Sequence, residues 1–352
     1  MKVLPNEYID LLKKLIETPS LSKDENETAQ TINEFLSEKS IETQRVKNNI
    51  IARNQHFNPA KPTILLNSHH DTVKPNISWT RDPFSPMIEN GMLFGLGSND
   101  AGGCLVSLIA AFVDFYNLEN LNFNLILAAS AEEEISGKNG IELILPQLGE
   151  IDFAIVGEPT LLNMAIAEKG LMVLDCISKG KSGHAARDEG ENAIYNAIDD
   201  INWFRNYQFG KTSSVLGDIK MSVTIVNAGS QHNVVPDACN FVVDVRSTDA
   251  YSNHEILKII NDHVNCEVIP RSTRLQPSGI SESHILRKCA EEMGIKTYGS
   301  PTLSDQALMP FPSIKIGPGD SARSHSADEY IGIDEVEAGI KLYIKLLKKL
   351  LV

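Results

Sequence analysis

Five short islands of histidine and carboxylate interrupt an otherwise ordinary chain: Ser68-His69-His70-Asp71-Thr72, Gly97-Ser98-Asn99-Asp100-Ala101-Gly102-Gly103, Ala131-Glu132-Glu133-Glu134, Gly157-Glu158-Pro159-Thr160 and Ser324-His325-Ser326-Ala327-Asp328-Glu329. They offer imidazoles and carboxylates and no thiolate, the donor set of a hydrolytic centre with two divalent ions rather than a cysteine-based structural site. Taken singly, each has a mundane reading. His69 serves as a satisfied strand-end histidine, Asp100 as a helix N-cap, the Glu132-Glu133-Glu134 run as a solvated loop, and Glu158 and His325 as structural polar residues. Taken together they point to metal. A carboxylate such as Asp100 can bridge two cations. Adjacent ionised glutamates need a compensating positive charge, so one would ligate and its neighbour would take a proton from water. In His69-x-Asp71 the side chains share a strand face, because strand side chains alternate. The carboxylate can then orient the imidazole. His70 points the other way and receives no role.

The elements that position these islands are legible in the hydrophobic pattern. Thr63-Ile64-Leu65-Leu66-Asn67, Asn124 to Ala129 and Phe153-Ala154-Ile155-Val156 are continuous apolar runs, the pattern of strands covered on both faces. Helical stretches near Gly102 to Tyr116 and Lys138 to Leu148 separate them, so the expected fold is α/β, a doubly wound and mostly parallel sheet. Each strand ends at an island, and open α/β sheets bind ligands beyond the carboxyl ends of their strands. His325 follows the short run Ser313 to Ile316 in the same way. Two amphipathic helices open the chain, one with Tyr8, Leu11, Leu12, Leu15 and Ile16 on one face, the other from about Glu25 to Lys39. A third, from Glu335 to Leu350, closes it.

The middle alternates apolar and polar residues at Leu171 to Asp175, Met221 to Ile225 and Phe241 to Val245. Helices near Glu191 to Tyr207 and His254 to Val264 lie between. This is a split βαβ, ferredoxin-like order. The expected organisation is a discontinuous catalytic domain, 1–164 and 271–352, with an inserted α+β domain over 165–270.

At 352 residues the chain is long enough for two cores. Its net charge of −14 argues against nucleic acid, whose phosphates require clustered Lys and Arg. No apolar run is long enough for a bilayer and no signal-peptide pattern opens the chain, so no membrane partner and a cytoplasmic location are expected. Cys104, Cys176, Cys239, Cys266 and Cys289 are scattered and lack Cys-x-x-Cys spacing. They read as buried small hydrophobes rather than a disulfide framework.

The islands, in this order and spacing, resemble the acetylornithine deacetylase and succinyl-diaminopimelate desuccinylase family of two-zinc amidohydrolases, related to aminoacylases and carboxypeptidases, and closest to the acetylornithine branch. The resemblance spans nearly the whole chain. It implies that His69, Asp100 and Glu158 hold one ion and that Asp100, Glu134 and His325 hold the other. Asp71 then orients His69, Glu133 is the general base, and a cis bond follows Asp100. It further implies that the inserted domain dimerises the protein. His184 would reach the active site of the neighbouring subunit and donate to the developing oxyanion, a contribution of about 3 kcal/mol. Asn233 and Arg246 would bind substrate, Arg246 through its planar fork on a carboxylate. Asp188 stands where many relatives carry Pro, and Ser68 where they carry Gly.

The implied ions are zinc, with cobalt or manganese acceptable to the same donors. The implied substrate is an N2-acylornithine, acetyl or succinyl, in arginine biosynthesis. Arg187 and Arg323, each beside a site histidine, are the candidates to read an acyl carboxylate. Desuccinylase activity on diaminopimelate, dipeptidase or carboxypeptidase activity, and a non-catalytic binding protein of the same fold are the other readings.

Overall fold

The computed structural model describes residues 6–187 and 189–351. The chain divides into two compact units. One comprises the residues up to Ile166, Ile280–Tyr298 and those from Ser304 onward; the other comprises Ala167–Gly279 and Gly299–Leu303.

The first unit is built on a mixed, mostly parallel central sheet. Its inner strands lie in the order Asn124–Ser130, Thr63–His69, Phe153–Val156 and Ser313–Lys315, all parallel. The first three are the continuous apolar runs, and every residue in them is buried. Strands Asn49–Arg53 and Thr43–Val46 extend one side antiparallel, and Met164–Glu168 pairs antiparallel at the other. The helix Gly103–Tyr116 packs on the sheet and against the helices Glu7–Glu17 and Ile333–Leu351. That position explains why Leu105, Leu108, Ile109, Phe112 and Phe115 on it are all fully buried. A small antiparallel sheet, Met87–Glu89, Met92–Phe94 and Tyr330–Gly332, carries the segment that follows His325. Its hairpin turns at Asn90-Gly91, both with positive φ, the pairing that two-residue hairpin loops favour.

The second unit is a four-stranded antiparallel sheet in the order Lys220–Ala228, Ala238–Ser247, Gly170–Lys179, Glu267–Pro270, with helices Ala193–Asn206 and Asn253–Asn261. This is the strand–helix–strand–strand–helix–strand order of a ferredoxin-like unit. Its core gathers Met172, Leu174, Phe204, Phe241, Val243, Val245, Ile256 and Ile260. Cys176, Cys239 and Cys266 lie in that core, and all five cysteines of the chain are free and buried.

Candidate metal centre

Three parallel strands release the chain at one sheet edge. His69 ends Thr63–His69, Glu133 follows Asn124–Ser130 by a short turn, and Glu158 follows Phe153–Val156. Asp100 arrives from the turn before the Gly103–Tyr116 helix, where the Asp100–Ala101 peptide is cis. His325 comes from the loop before Tyr330–Gly332 and has a positive φ of 59°.

His69 is buried and its Nδ1 lies 3.0 Å from the Asp71 carbonyl oxygen, with the Asp71 carboxylate 3.4 Å away. A proton on Nδ1 leaves the Nε2 lone pair facing carboxylates: Asp100 Oδ1 at 3.2 Å, Glu133 Oε2 at 3.9 Å and Glu158 Oε1 at 3.9 Å. The second cluster sits on the other oxygen of Asp100. His325 Nε2 is 2.9 Å from Glu134 Oε2 and 3.7 Å from Asp100 Oδ2. Asp100 thus turns one oxygen toward each histidine. His69, Asp100 and Glu134 alone place three ligand atoms within 4.8 Å of one another.

The donors fit divalent ions. Nitrogen and oxygen ligands about 2.0–2.1 Å from a tetrahedral ion stand roughly 3.3 Å apart, and His69 Nε2 and Asp100 Oδ1 are 3.2 Å apart. Four carboxylates converge on two imidazoles, a charge excess that a cation would offset. Burial works to lower the His69 pKa, but hydrogen bonds with Asp100 and Asp71 raise it well above the usual range. The hydrogen bond to Glu134 lifts His325 to about 9. Burial lifts Glu133 well above the usual carboxylate range; His69 opposes this, while Glu158, Asp305 and Glu134 push it further. Burial would raise Asp100, yet the hydrogen bond with His69 leaves it lowered.

Asp71 does more than face His69. Its carboxylate accepts the backbone N–H groups of Glu133 and Glu134 at 3.0 and 3.2 Å, and the Ser22 hydroxyl at 2.7 Å. One buried carboxylate therefore sets both a histidine and the two glutamates that follow. Glu132, with φ of 55°, opens that turn. Its backbone N–H donates to the buried Glu25 at 3.2 Å, and its side chain accepts from Asn139. His70 is held behind the site between the Thr28 hydroxyl and the Asn48 carbonyl, at 2.9 and 2.8 Å. Burial pushes its pKa down to about 4, so it stays neutral.

Sequence reasoning gave no role to three buried carboxylates around the centre, although Glu329 lies in the fifth island. Glu25 is one. Asp305 accepts the Ser130 hydroxyl at 2.6 Å, and burial raises its pKa to about 6. Glu329 accepts the N–H groups of Asn99 and Asp100 at 2.8 and 2.9 Å; burial first, then Asp100, raises its pKa to about 8. Glu329 serves backbone amides of a distant segment, which leave no trace in residue types, and Glu25 joins the Lys23 and Glu132 N–H groups to the Asn48 side chain.

The remaining candidates are placed as follows. Arg323 forms a two-pronged ion pair with Glu335, at 2.6 and 3.2 Å, and stacks on Tyr330, which ties it to the closing helix rather than leaving its fork open. His184, Asn233, Arg187 and Arg246 belong to the second unit. Gly183–His184 pairs with Val234–Val235, and the Ala185 N–H donates to the Asn233 carbonyl at 3.0 Å. The Ala186 N–H donates to His184 Nδ1 at 3.1 Å, which assigns the proton to Nε2. Arg246 grips Asp244 through two nitrogens at 2.8 and 3.0 Å. Arg187 is exposed, with Glu189 at 3.7 Å. Asp188 lies outside the described residues.

The chain is similar to known proteins. The model for peptidase family M20/M25/M40 matches residues 65–349. The acetylornithine deacetylase of Buchnera aphidicola is 25% identical over 97% of this chain and 97% of its own. A succinyl-diaminopimelate desuccinylase of a Ruegeria species is 22% identical over 97% and 94%. Among solved structures, a dinuclear metal-binding peptidase of the M20 family from Bacillus subtilis superposes with a TM-score of 0.73 at 17% identity, covering 98% of each chain.

Proposed function

Since this chain belongs to peptidase family M20/M25/M40, we propose that it hydrolyses the amide of an N2-acyl-L-ornithine, releasing ornithine and a carboxylate, as a step of arginine biosynthesis. At the coarser level it is a metal-dependent amidohydrolase. The observation that carries the reading is the position of Asp100, with one oxygen toward His69 and the other toward His325.

His69, Asp100 and Glu158 would hold one ion, and Asp100, Glu134 and His325 the other. Bound there, two divalent ions supply Lewis acidity, which brings the pKa of water from about 15.7 toward about 7 and polarises a carbonyl. Zinc is the proposed ion. The chain's own residues do the rest. Glu133, 3.9 Å from His69 Nε2, takes the proton of the attacking water and returns it to the leaving amine. Asp71 holds the backbone of Glu133 and Glu134 in place while that proton moves. His184, protonated on Nε2, donates to the oxyanion from a second copy of the chain. Arg246 and Asn233 bind the substrate's α-carboxylate, with Arg246 exchanging Asp244 for it. Arg187 is the proposed contact for a charged acyl group.

A substrate panel tests the reading. Purified enzyme given zinc should cleave N2-acetyl- or N2-succinylornithine with kcat/KM at least about 100-fold above N-succinyl-diaminopimelate and dipeptides, a difference of about 2.7 kcal/mol in transition-state binding. Equal rates across the panel would sink the ornithine assignment and leave the amidohydrolase class intact.

The second unit supports a homodimer. Its outer strand Lys220–Ala228 exposes Ile225 and Val226, each at least half accessible, and helix Ala193–Asn206 exposes Tyr195 and Ile198. An unpaired apolar edge strand of this kind is a site for a second chain. Ile225→Lys should convert the protein to monomer in sedimentation velocity. With His184 acting between copies, turnover should then fall about 100-fold. A monomer of full activity would refute the role of His184 across the interface.

A further inference from the structure

The loop that carries His325 and the turn that carries Asp100 are joined at a single buried side chain. Glu329 is 1% exposed. One of its oxygens accepts both the Asn99 and the Asp100 N–H groups, at 2.8 and 2.9 Å. Its own carbonyl accepts the Gly95 N–H at 3.0 Å, so the residue grips this turn through side chain and backbone together. Around it the same two segments are laced again. The Asn99 side chain donates to the Asp320 carbonyl at 3.1 Å and accepts the Asp320 N–H at 3.0 Å. Asp328 ties the His325 loop to a third segment as well, accepting the N–H groups of Thr80 and Arg81 and the Thr80 hydroxyl. These contacts bracket His325, which is itself 55% exposed and has a positive φ. An exposed loop histidine has little packing of its own to aim it.

The first centre is built differently. His69 ends a buried strand and Glu158 lies just beyond another, so the strands themselves aim both. The second centre needs Asp100 Oδ2 and His325 Nε2 presented toward each other from separate segments. Among the hydrogen bonds described, that spacing is set by the Glu329 clasp, the Asn99–Asp320 pair and Ser324, whose hydroxyl meets the Asn99 side chain at 3.5 Å and the Asp100 carboxylate.

We propose that Glu329 is a positioning residue for the second metal ion: it fixes the bridging carboxylate and the last histidine ligand as one mount, and its loss weakens the His325–Glu134 centre more than the His69–Glu158 centre. The inference rests on the metal-centre reading above. Partners that orient ligands without touching the metal typically contribute 10–100-fold in metal affinity.

The test uses the full-length chain stripped of metal. Zinc is titrated by calorimetry and Co²⁺ by its visible spectrum, for wild type, Glu329→Gln and Glu329→Asp. Wild type should bind two ions. Both variants should keep one ion near wild-type affinity and bind the other about 10–100-fold more weakly, with the second cobalt band altered in shape and the aspartate variant less affected. Two ions bound at wild-type affinity, with an unchanged cobalt spectrum, in whichever variant folds would overturn the proposal. Failure of both variants to fold overturns it too, since the residue would then be a structural one. Wild type binding no divalent ion is a separate result, and it removes the metal-centre reading itself.

Discussion

Glu133→Gln should lower kcat about 1000-fold while leaving metal content and melting temperature at wild-type values. The amide preserves the size of the side chain and its backbone link to Asp71, so Glu134 and the adjoining turn keep their mount. What disappears is a group able to take and return a proton, and general acid–base catalysis typically contributes 10²–10⁴-fold. The setting of Glu133 suits a base. Burial and the neighbouring Glu158, Asp305 and Glu134 raise its pKa in the direction a proton acceptor near neutrality requires. KM should change little, because the loss falls on the transition state. Steady-state kinetics with zinc measured on the same sample decide it. Turnover within tenfold of wild type at full metal occupancy would remove Glu133 from the mechanism.

The second large effect belongs to Asp100. Asp100→Asn should abolish measurable activity and reduce affinity for both ions, by more than about 100-fold for at least one of them. That exceeds the typical loss from removing a partner that merely orients a ligand. The neutral amide offers one oxygen where the carboxylate presents two, one toward His69 and one toward His325. Chelator-treated wild type should be equally inactive and recover when zinc is returned, whereas the variant should not. Atomic absorption on dialysed protein is the direct readout. Two ions retained by the variant would show that Asp100 does not connect the centres.

Much of this site was legible before any coordinates. The apolar runs at Ile64, Leu125 and Ala154 carry the pattern of covered strands, and each pointed its carboxyl end at an island. The βαββαβ order of the middle segment was equally plain. Other features were hidden for identifiable reasons. The short antiparallel strands Thr43–Val46 and Asn49–Arg53 carry too few residues for a period to emerge. The Met87 to Phe94 hairpin did announce itself, through Asn90-Gly91, and that signal was overlooked. Which glutamate in the Glu132-Glu133-Glu134 run does what cannot follow from charge repulsion alone. It depends on the turn that sends Glu134 to His325 and Glu133 toward His69. The role of Glu329 was opaque because a carboxylate that serves backbone amides leaves no complementary side chain in the sequence to find, and that of Glu25 because the Lys23 and Glu132 N–H groups and the Asn48 side chain meet it only in the fold. Arg323 illustrates the converse: its place beside His325 suggested a substrate contact, and only the fold reveals Glu335 as its partner.

The dispersal of the donors also bears on how the protein is made. His69 is synthesised early and His325 only after nearly all the other described residues, with the second unit interposed. The cation cage therefore stays incomplete until the segment that bears His325 has joined the rest of the fold. A chain truncated after residue 320 should bind at most one ion, and loading of the pair follows the docking of the segment that bears His325, governed by the metal supply met at that moment.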